Sequence, residues 1–209
     1  MSYQAIVFDF GNIFLDLNYE RCFDRFTKLL GFEISKNTVP EALLKTFNLH
    51  EMGKITDEEW IWAFQKINDQ IKPREIIDAW NDLLIGVPSH RLPFIENVRK
   101  DYKVYMLSNI NAVHEAWVDR HMKEVHKVDD FKNDYFDRYF YSHHLGMRKP
   151  NDDIYLHVEK TLEDDGIIDF LFIDDTVANV ETAKRLGWKA VIHDPKLEIT
   201  ERLNRYLQL

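Results

Sequence analysis

Ala5-Ile6-Val7-Phe8 is an unbroken apolar run that stops at Asp9. A run this short, without polar alternation, suits a strand covered on both faces, as in a parallel sheet. Comparable runs recur at Val104-Tyr105-Met106-Leu107, at Asp169-Phe170-Leu171-Phe172-Ile173 and at Ala190-Val191-Ile192, with a weaker one at Tyr139-Phe140-Tyr141. Helical patterns separate them, at about residues 89–100, 111–118, 150–162 and 176–186. Strands alternating with helices predict an α/β protein with a parallel sheet and right-handed crossovers. No internal repeat or low-complexity segment interrupts the alternation.

One segment breaks it. Between about Asp16 and Gly86 the chain shows four helical patterns and no convincing strand. Cys22, Phe23, Phe26, Leu29 and Leu30 form a helical stripe that ends at Gly31. A shorter helix is expected after Pro40, through Leu43, Leu44 and Phe47. Thr56-Asp57-Glu58-Glu59 reads as a capping box, and the helix it opens puts Trp60, Phe64 and Ile67 on one face. Pro73 suits the first turn of a last helix through Ile76, Ile77, Trp80 and Leu84. Gly86-Val87-Pro88 then breaks the pattern and reads as a hinge.

Composition narrows the class. With 209 residues, the chain is longer than one domain of about 150 residues, leaving a fraction that the helical segment fills. A hydrophobic share of 45% is enough for a sizeable core and excludes a disordered chain. The net charge of -9 argues against nucleic acid and against a polybasic membrane-surface protein, but not against a small anion held in one pocket. Cys22 is the single cysteine, so an internal disulfide and a cysteine-based zinc site are both excluded. Met1-Ser2-Tyr3-Gln4 lacks a basic region followed by an apolar run, and no stretch approaches about 18 apolar residues. A cytoplasmic protein without signal peptide or membrane span is the expectation, as monomer or dimer.

In an open parallel sheet, functional groups collect beyond the carboxyl ends of the strands. Asp9 ends the first strand, where a carboxylate can attack phosphorus, bind a cation or simply cap a turn. Ser108-Asn109 ends the second and offers a hydroxyl, an amide and turn N–H groups to an oxyanion, or an ordinary turn before a helix capped by Asn111. Lys149-Pro150 opens the helix after the fourth strand, placing a cation that suits two anionic partners, or a solvated lysine. Asp174-Asp175 puts adjacent carboxylates at another strand end, which is costly unless a cation or proton intervenes, so hard-metal binding is natural there, with helix capping by Asp175 or Thr176 the alternative.

Taken in this order, the four stations resemble the haloacid dehalogenase superfamily, in its phosphatase branch with a helical cap. The likeness covers nearly the whole chain. Phe8-Asp9-Phe10-Gly11-Asn12, Leu107-Ser108-Asn109, Leu145-Gly146-Met147-Arg148-Lys149-Pro150 and Ile173-Asp174-Asp175 look closest to sugar-1-phosphate phosphatases of the α-D-glucose-1-phosphatase type. The resemblance implies a Rossmann-like catalytic core, residues 1–15 and 87–209, with an inserted all-helical, four-helix cap over residues 16–86. It implies Mg²⁺-dependent hydrolysis of a small phosphorylated metabolite, a sugar phosphate such as a hexose-1-phosphate, through an aspartyl phosphate on Asp9. It implies Mg²⁺ held by Asp9, the Gly11 carbonyl, Asp174 and Asp175, with Asp175 the more direct ligand. Ser108 and the Asn109 backbone would bind phosphoryl oxygens while Lys149 neutralises charge.

One position departs from the pattern. Most phosphatases of this superfamily carry a second Asp two residues after the nucleophile, as general acid and base, and here that position is Gly11. General acid catalysis contributes about 10²–10⁴-fold, so its loss favours good leaving groups such as an anomeric sugar oxygen. Asp16 or a group from the cap would be the substitute. Gly11 also admits a metal-free 2-haloacid dehalogenase, against which Asp174-Asp175 weighs, and a catalytically degenerate, regulatory phospho-ligand-binding protein. Trp60, Trp62 and Trp80 read as packing rather than sugar stacking. The stretch His50 to Lys54 either faces the substrate from above or forms a polar loop. His143-His144 read as ordinary histidines, because no carboxylate stands at metal-ligand spacing beside them. Residues 127–130 read as solvated surface.

Overall fold

The structure, a computed structural model, describes residues 3–35 and 37–208. Its centre is a five-stranded, all-parallel sheet in the order β5-β4-β1-β6-β7. The strands are β1 (Ala5–Phe8), β4 (Lys103–Ser108), β5 (Arg138–Tyr141), β6 (Phe170–Asp174) and β7 (Lys189–Ile192). Each expected strand is present, within a residue or two at its ends. β1 occupies the middle and is buried throughout. Ile6 and Phe8 join the core on one face of the sheet, with Val104, Met106, Leu171 and Ile173. Ala5 and Val7 join the core on the other, with Tyr105, Leu107 and Phe172. Both faces of the strand are therefore apolar, which is why the run shows no alternation.

Helices α5 (Arg91–Val98), α6 (Ala112–His121), α7 (Phe131–Tyr135), α8 (Ser142–Leu145), α9 (Asp152–Asp164), α10 (Val177–Arg185) and α11 (Ile199–Tyr206) connect and flank these strands. Asn111 caps α6, its side chain accepting from the His114 N–H. That helix runs past its expected end and continues as a π-helical turn over Met122–His126. α11 lies beyond the last element expected from the sequence. It buries Ile199, Leu203 and Tyr206, a stripe of three apolar positions too sparse to stand out among its polar neighbours.

Between β1 and α5 the chain forms four helices: α1 (Tyr19–Leu30), α2 (Glu41–Glu51), α3 (Asp57–Gln65) and α4 (Pro73–Asn81). Gly31 closes α1 with φ 77°, and the reciprocal bonds between Thr56 and Glu59 open α3. Phe26, Phe47, Phe64, Trp60 and Trp80 pack against one another, stacked, tilted or edge-on, as the segment's own core. Packing thus accounts for Trp60 and most of Trp80. Trp62 lies 57% exposed, with Lys66 Nζ 3.3 Å above its ring.

The expectation of no strand in this stretch is corrected at its two ends. β2 (Asp16–Leu17) and β3 (Leu84–Gly86) pair antiparallel, Asp16 with Gly86 and Leu17 with Leu84, where the chain leaves for α1 and returns from α4. Two- and three-residue strands are too short for a periodic signal. Arg91, only 7% exposed, anchors the ribbon: it donates to the Phe14 carbonyl, to Asp16 at 2.7 Å and to both oxygens of Glu198. Among the described residues no helix is long and apolar enough to cross a membrane.

Candidate active site

The sheet register decides what meets at the carboxyl end. Phe8 pairs with Met106 on one side and Ile173 on the other, so the next residues along, Asp9, Leu107 and Asp174, stand level. The loop after α8 brings Lys149 into this row, and the Lys149-Pro150 peptide bond is cis. The result is a cavity of about 260 Å³ lined by Asp9, Gly11, Ser108, Asn109, Lys149 and Asp175. Six of the residues singled out in the sequence share this wall. The seventh, Asp174, is fully buried just behind it. A larger hollow of about 650 Å³, walled by Tyr3, Trp188 and Leu207, contains none of them.

Lys149 is the hub of the site. It is 1% exposed, and Nζ donates to Asp9 Oδ1 at 2.8 Å, to Asp174 Oδ2 at 2.6 Å and to the Leu107 carbonyl at 2.8 Å. Burial alone would lower its pKa, but Asp174 and Asp9 outweigh it and hold the ammonium above its ordinary range. Asp9 is pushed the other way, up to about 7. Burial is the main cause, Lys149 opposes it, and Asp174 and Asp175 add repulsion. A carboxylate in that position lacks positive charge, which is the deficit a cation removes.

The two members of the acidic pair stand in different surroundings. Asp174 accepts from Lys149, from Asn179 Nδ2 at 3.0 Å on both oxygens, and from the Thr176 N–H at 2.8 Å. Asp175 faces the cavity and accepts from Asn12 Nδ2 at 2.8 Å and from the Thr176 hydroxyl. Carboxylate oxygens of Asp9, Asp174 and Asp175 all lie within 4.8 Å of one another. Hard oxygen donors at that spacing fit a Mg²⁺-sized ion. Asp175 has the more open coordination, whereas Asp174 is largely committed to Lys149 and α10.

Asn109 does something its backbone alone does not suggest. Its side chain donates to the Lys149 carbonyl at 2.8 Å and accepts from the Lys149 N–H at 2.9 Å, clamping the lysine's backbone to β4. The sequence did not point to this clamp, nor to Asn179, Asn12, Thr176, Tyr19 or Arg148 as wall or support residues. Each depends on a loop or helix whose placement no local pattern records. Of the stretch from His50 to Lys54, Glu51 lines the cavity; burial raises its pKa, while a bond from Arg148 Nη2 at 2.9 Å works against that. His50 instead stacks on Trp60 and bonds Asp57 at 2.7 Å. Asp16, the other substitute for a proton donor, is held by Arg91 and does not line the cavity.

His143 and His144 do have a carboxylate neighbour. Glu115, on α6, places Oε2 2.9 Å from Nε2 of each ring, a pairing that linear spacing of 28 residues or more conceals.

The chain thus sets a buried Asp–Lys–Asp row at the carboxyl edge of a parallel sheet and inserts four helices after the first strand. No family model matches the chain. It is 29% identical over 193 residues to a D-ribitol-5-phosphate phosphatase of Bacteroides thetaiotaomicron, covering 89% of each chain. A solved haloacid dehalogenase-family enzyme of Bacteroides thetaiotaomicron superposes with a TM-score of 0.84 at 28% identity, over 97% of this chain and 99% of that one. A further structure of that enzyme holds magnesium and inorganic phosphate, with a TM-score of 0.76 at 26% identity over 94% and 97%. A haloacid dehalogenase-like hydrolase of Porphyromonas gingivalis matches over the full length of both, with a TM-score of 0.83 at 27% identity. The chain is a haloacid dehalogenase-family hydrolase, an enzyme of the phosphatase type.

Proposed function

We propose that the protein hydrolyses a small sugar or polyol phosphate, with a hexose-1-phosphate among the candidates, through an aspartyl phosphate on Asp9, with Mg²⁺ as cofactor. The observation that carries this reading is the buried Lys149, bonded to both Asp9 and Asp174 beside Asp175 in one small polar cavity. Likeness to a polyol-phosphate phosphatase and to an enzyme solved with magnesium and phosphate supports it.

Lys149 fixes Asp9 through Oδ1 and leaves Oδ2 as the attacking atom. As Asp9 Oδ2 bonds to phosphorus, the ester P–O bond breaks and the leaving oxygen keeps its electron pair. Water then attacks the phosphorus, the bond to Asp9 breaks, and hydrogen phosphate departs with the carboxylate restored; of water's two protons one stays on the phosphate and the other replaces the one taken up by the leaving oxygen. The Ser108 hydroxyl and the turn N–H groups beside it receive phosphoryl oxygens. Lys149, pinned by Asp174, Asn109 and the Leu107 carbonyl, balances their charge at no reorganisation cost. Asp9, Asp175 and the Gly11 carbonyl, with Asp174 behind, would hold the Mg²⁺. Bound there, the ion supplies the positive charge that lets an anionic carboxylate approach an anionic ester.

Residues 16–86 act as the cap and 1–15 with 87–209 as the catalytic core. Tyr19 and Glu51 bring the helical segment to the cavity wall, and the Glu51–Arg148 pair closes its far side. A cavity of about 260 Å³ lies just below the usual ligand-site range of about 300–1,000 Å³, which favours a short phosphorylated metabolite.

The test is a set of phosphate esters, including ribitol 5-phosphate and glucose 1-phosphate, assayed alongside 2-chloropropionate with and without Mg²⁺. Phosphate release that EDTA abolishes and Mg²⁺ restores is expected. Asp9→Asn should lose turnover while its circular dichroism and melting transition persist. Chloride release insensitive to EDTA, or substantial phosphate release by Asp9→Asn, would overturn the reading.

A further inference from the structure

We propose that Glu115, His143 and His144 form a second metal site, for Zn²⁺ or a similar borderline cation, separate from the acidic cluster at Asp9. Its donors are two imidazole nitrogens and one carboxylate oxygen, a nitrogen-rich set that suits zinc better than magnesium. The three residues place these atoms within 4.8 Å of one another.

Hydrogen bonding at His143 makes the case. Its Nδ1 is 2.8 Å from the Ile110 carbonyl. A carbonyl only accepts, so Nδ1 carries the hydrogen. In the neutral ring Nε2 is then a bare lone pair, yet it points at Glu115 Oε2 from 2.9 Å. Two acceptors do not face each other at that distance, so a positive group joins them: a second ring proton, which makes a His143–Glu115 ion pair, or a metal cation that both atoms ligate. A ring nitrogen anchored to a backbone carbonyl with its other nitrogen free is also how metal-binding histidines are oriented.

His144 converges on the same oxygen, its Nε2 2.9 Å from Glu115 Oε2. The other oxygen, Oε1, is taken by Lys132 Nζ at 2.5 Å, which also bonds Asp119 at 2.9 Å. Lys132 thus orients the carboxylate from behind and leaves Oε2 to the two imidazoles. Two carboxylates against one ammonium leave one negative charge at the cluster, so a cation is compensated there. Metal–ligand bonds of about 2.0–2.1 Å in a tetrahedron put ligand atoms about 3.3 Å apart, so the 2.9 Å pairs need open by only a few tenths of an ångström. Three protein ligands leave a fourth position for water. His144 is 44% exposed on its side chain, which gives an ion a way in.

The site would fasten α6 to α8 and, through His143 and the Ile110 carbonyl, to the loop that carries Ser108 and Asn109. The experiment is equilibrium dialysis of the full chain against Zn²⁺ in excess Mg²⁺, with metal counted by atomic absorption. About one Zn²⁺ per chain is expected. His144→Ala removes a ligand at the surface without opening the core and should weaken binding by at least about tenfold, as should Glu115→Gln. Asp175→Asn, which alters only the acidic cluster, should retain the zinc. No zinc on the wild-type chain, wild-type affinity in His144→Ala, or loss in Asp175→Asn alone would each overturn the proposal. Because zinc content and not turnover is read, the result stands whatever the fate of the phosphatase reading.

Discussion

At Gly11 the cavity floor is bare backbone, and a Cβ added there would stand 3.0 Å from Leu17 Cδ1. That atom is the tip of a flexible side chain, and Gly11 does not occupy the left-handed region, so a larger residue is tolerated with a small shift. Gly11→Asp restores a carboxyl two residues after the nucleophile. It is expected to raise kcat/KM for alkyl phosphates, by no more than the roughly 10²–10⁴-fold that general acid catalysis supplies, and to change p-nitrophenyl phosphate little. A uniform fall across leaving groups would mean the proton already has another source. Glu51, at the end of α2, is the carboxyl that the inserted helices bring to the cavity. At this scale the sequence was informative where a short apolar run ends in a polar residue, as at Asp9, Ser108 and Asp174. It was silent on Asn109's grip on Lys149 and on Asn179's bonds to Asp174, because both join residues that only tertiary packing brings together.

Among the elements, the five sheet strands were legible as short apolar runs and the four inserted helices by their apolar stripes and start or stop signals. The β2–β3 ribbon, α7, α8, α11 and the π turn were not. They are short, or polar except for a few positions that tertiary packing covers. α3 illustrates a local signal with a measurable consequence. Thr56 Oγ1 accepts from the Glu59 N–H at 3.2 Å, and Glu59 accepts from the Thr56 N–H at 2.9 Å. These bonds start the helix that delivers Trp60 and Phe64 to the aromatic core. Thr56→Ala should destabilise the protein by about 1 kcal/mol, read as a lower urea midpoint at unchanged slope. An unaltered midpoint would show that packing alone sets the start of α3.

For the whole molecule, the helical segment is joined to the sheet partly through a histidine that must stay neutral. His114, on α6, is 5% exposed, stacks on Trp80 of α4 at 4.5 Å and donates from Nε2 to the Trp80 carbonyl at 3.2 Å. Burial lowers its pKa from 6.5 to about 3. In the unfolded chain it takes up a proton near pH 6.5 and in the folded chain it does not, so acid favours unfolding. The stabilisation is complete above the unfolded value and is lost as pH falls from 6.5 towards 3. Melting temperature should therefore drop between about pH 7 and pH 5, and His114→Gln should flatten that slope by up to about 1.4 kcal/mol per pH unit. An equal slope in the variant would move the acid sensitivity to His50, His121 or His193, which burial also holds low.

The ribbon bears on descent as well as on folding. Asp16 pairs with Gly86, so the roughly 70 residues between them leave and return at neighbouring points of the β2–β3 ladder. Gly86, at φ 148° with the His121 ring closer than any Cβ would allow, marks the seam. An insertion whose two ends already touch is topologically silent: lengthening it, shortening it or exchanging it alters no strand order and no crossover. A lineage carrying this sheet is free to trade one set of wall residues for another by recombination at that seam, while Asp9, Lys149 and Asp174 keep the register they inherited.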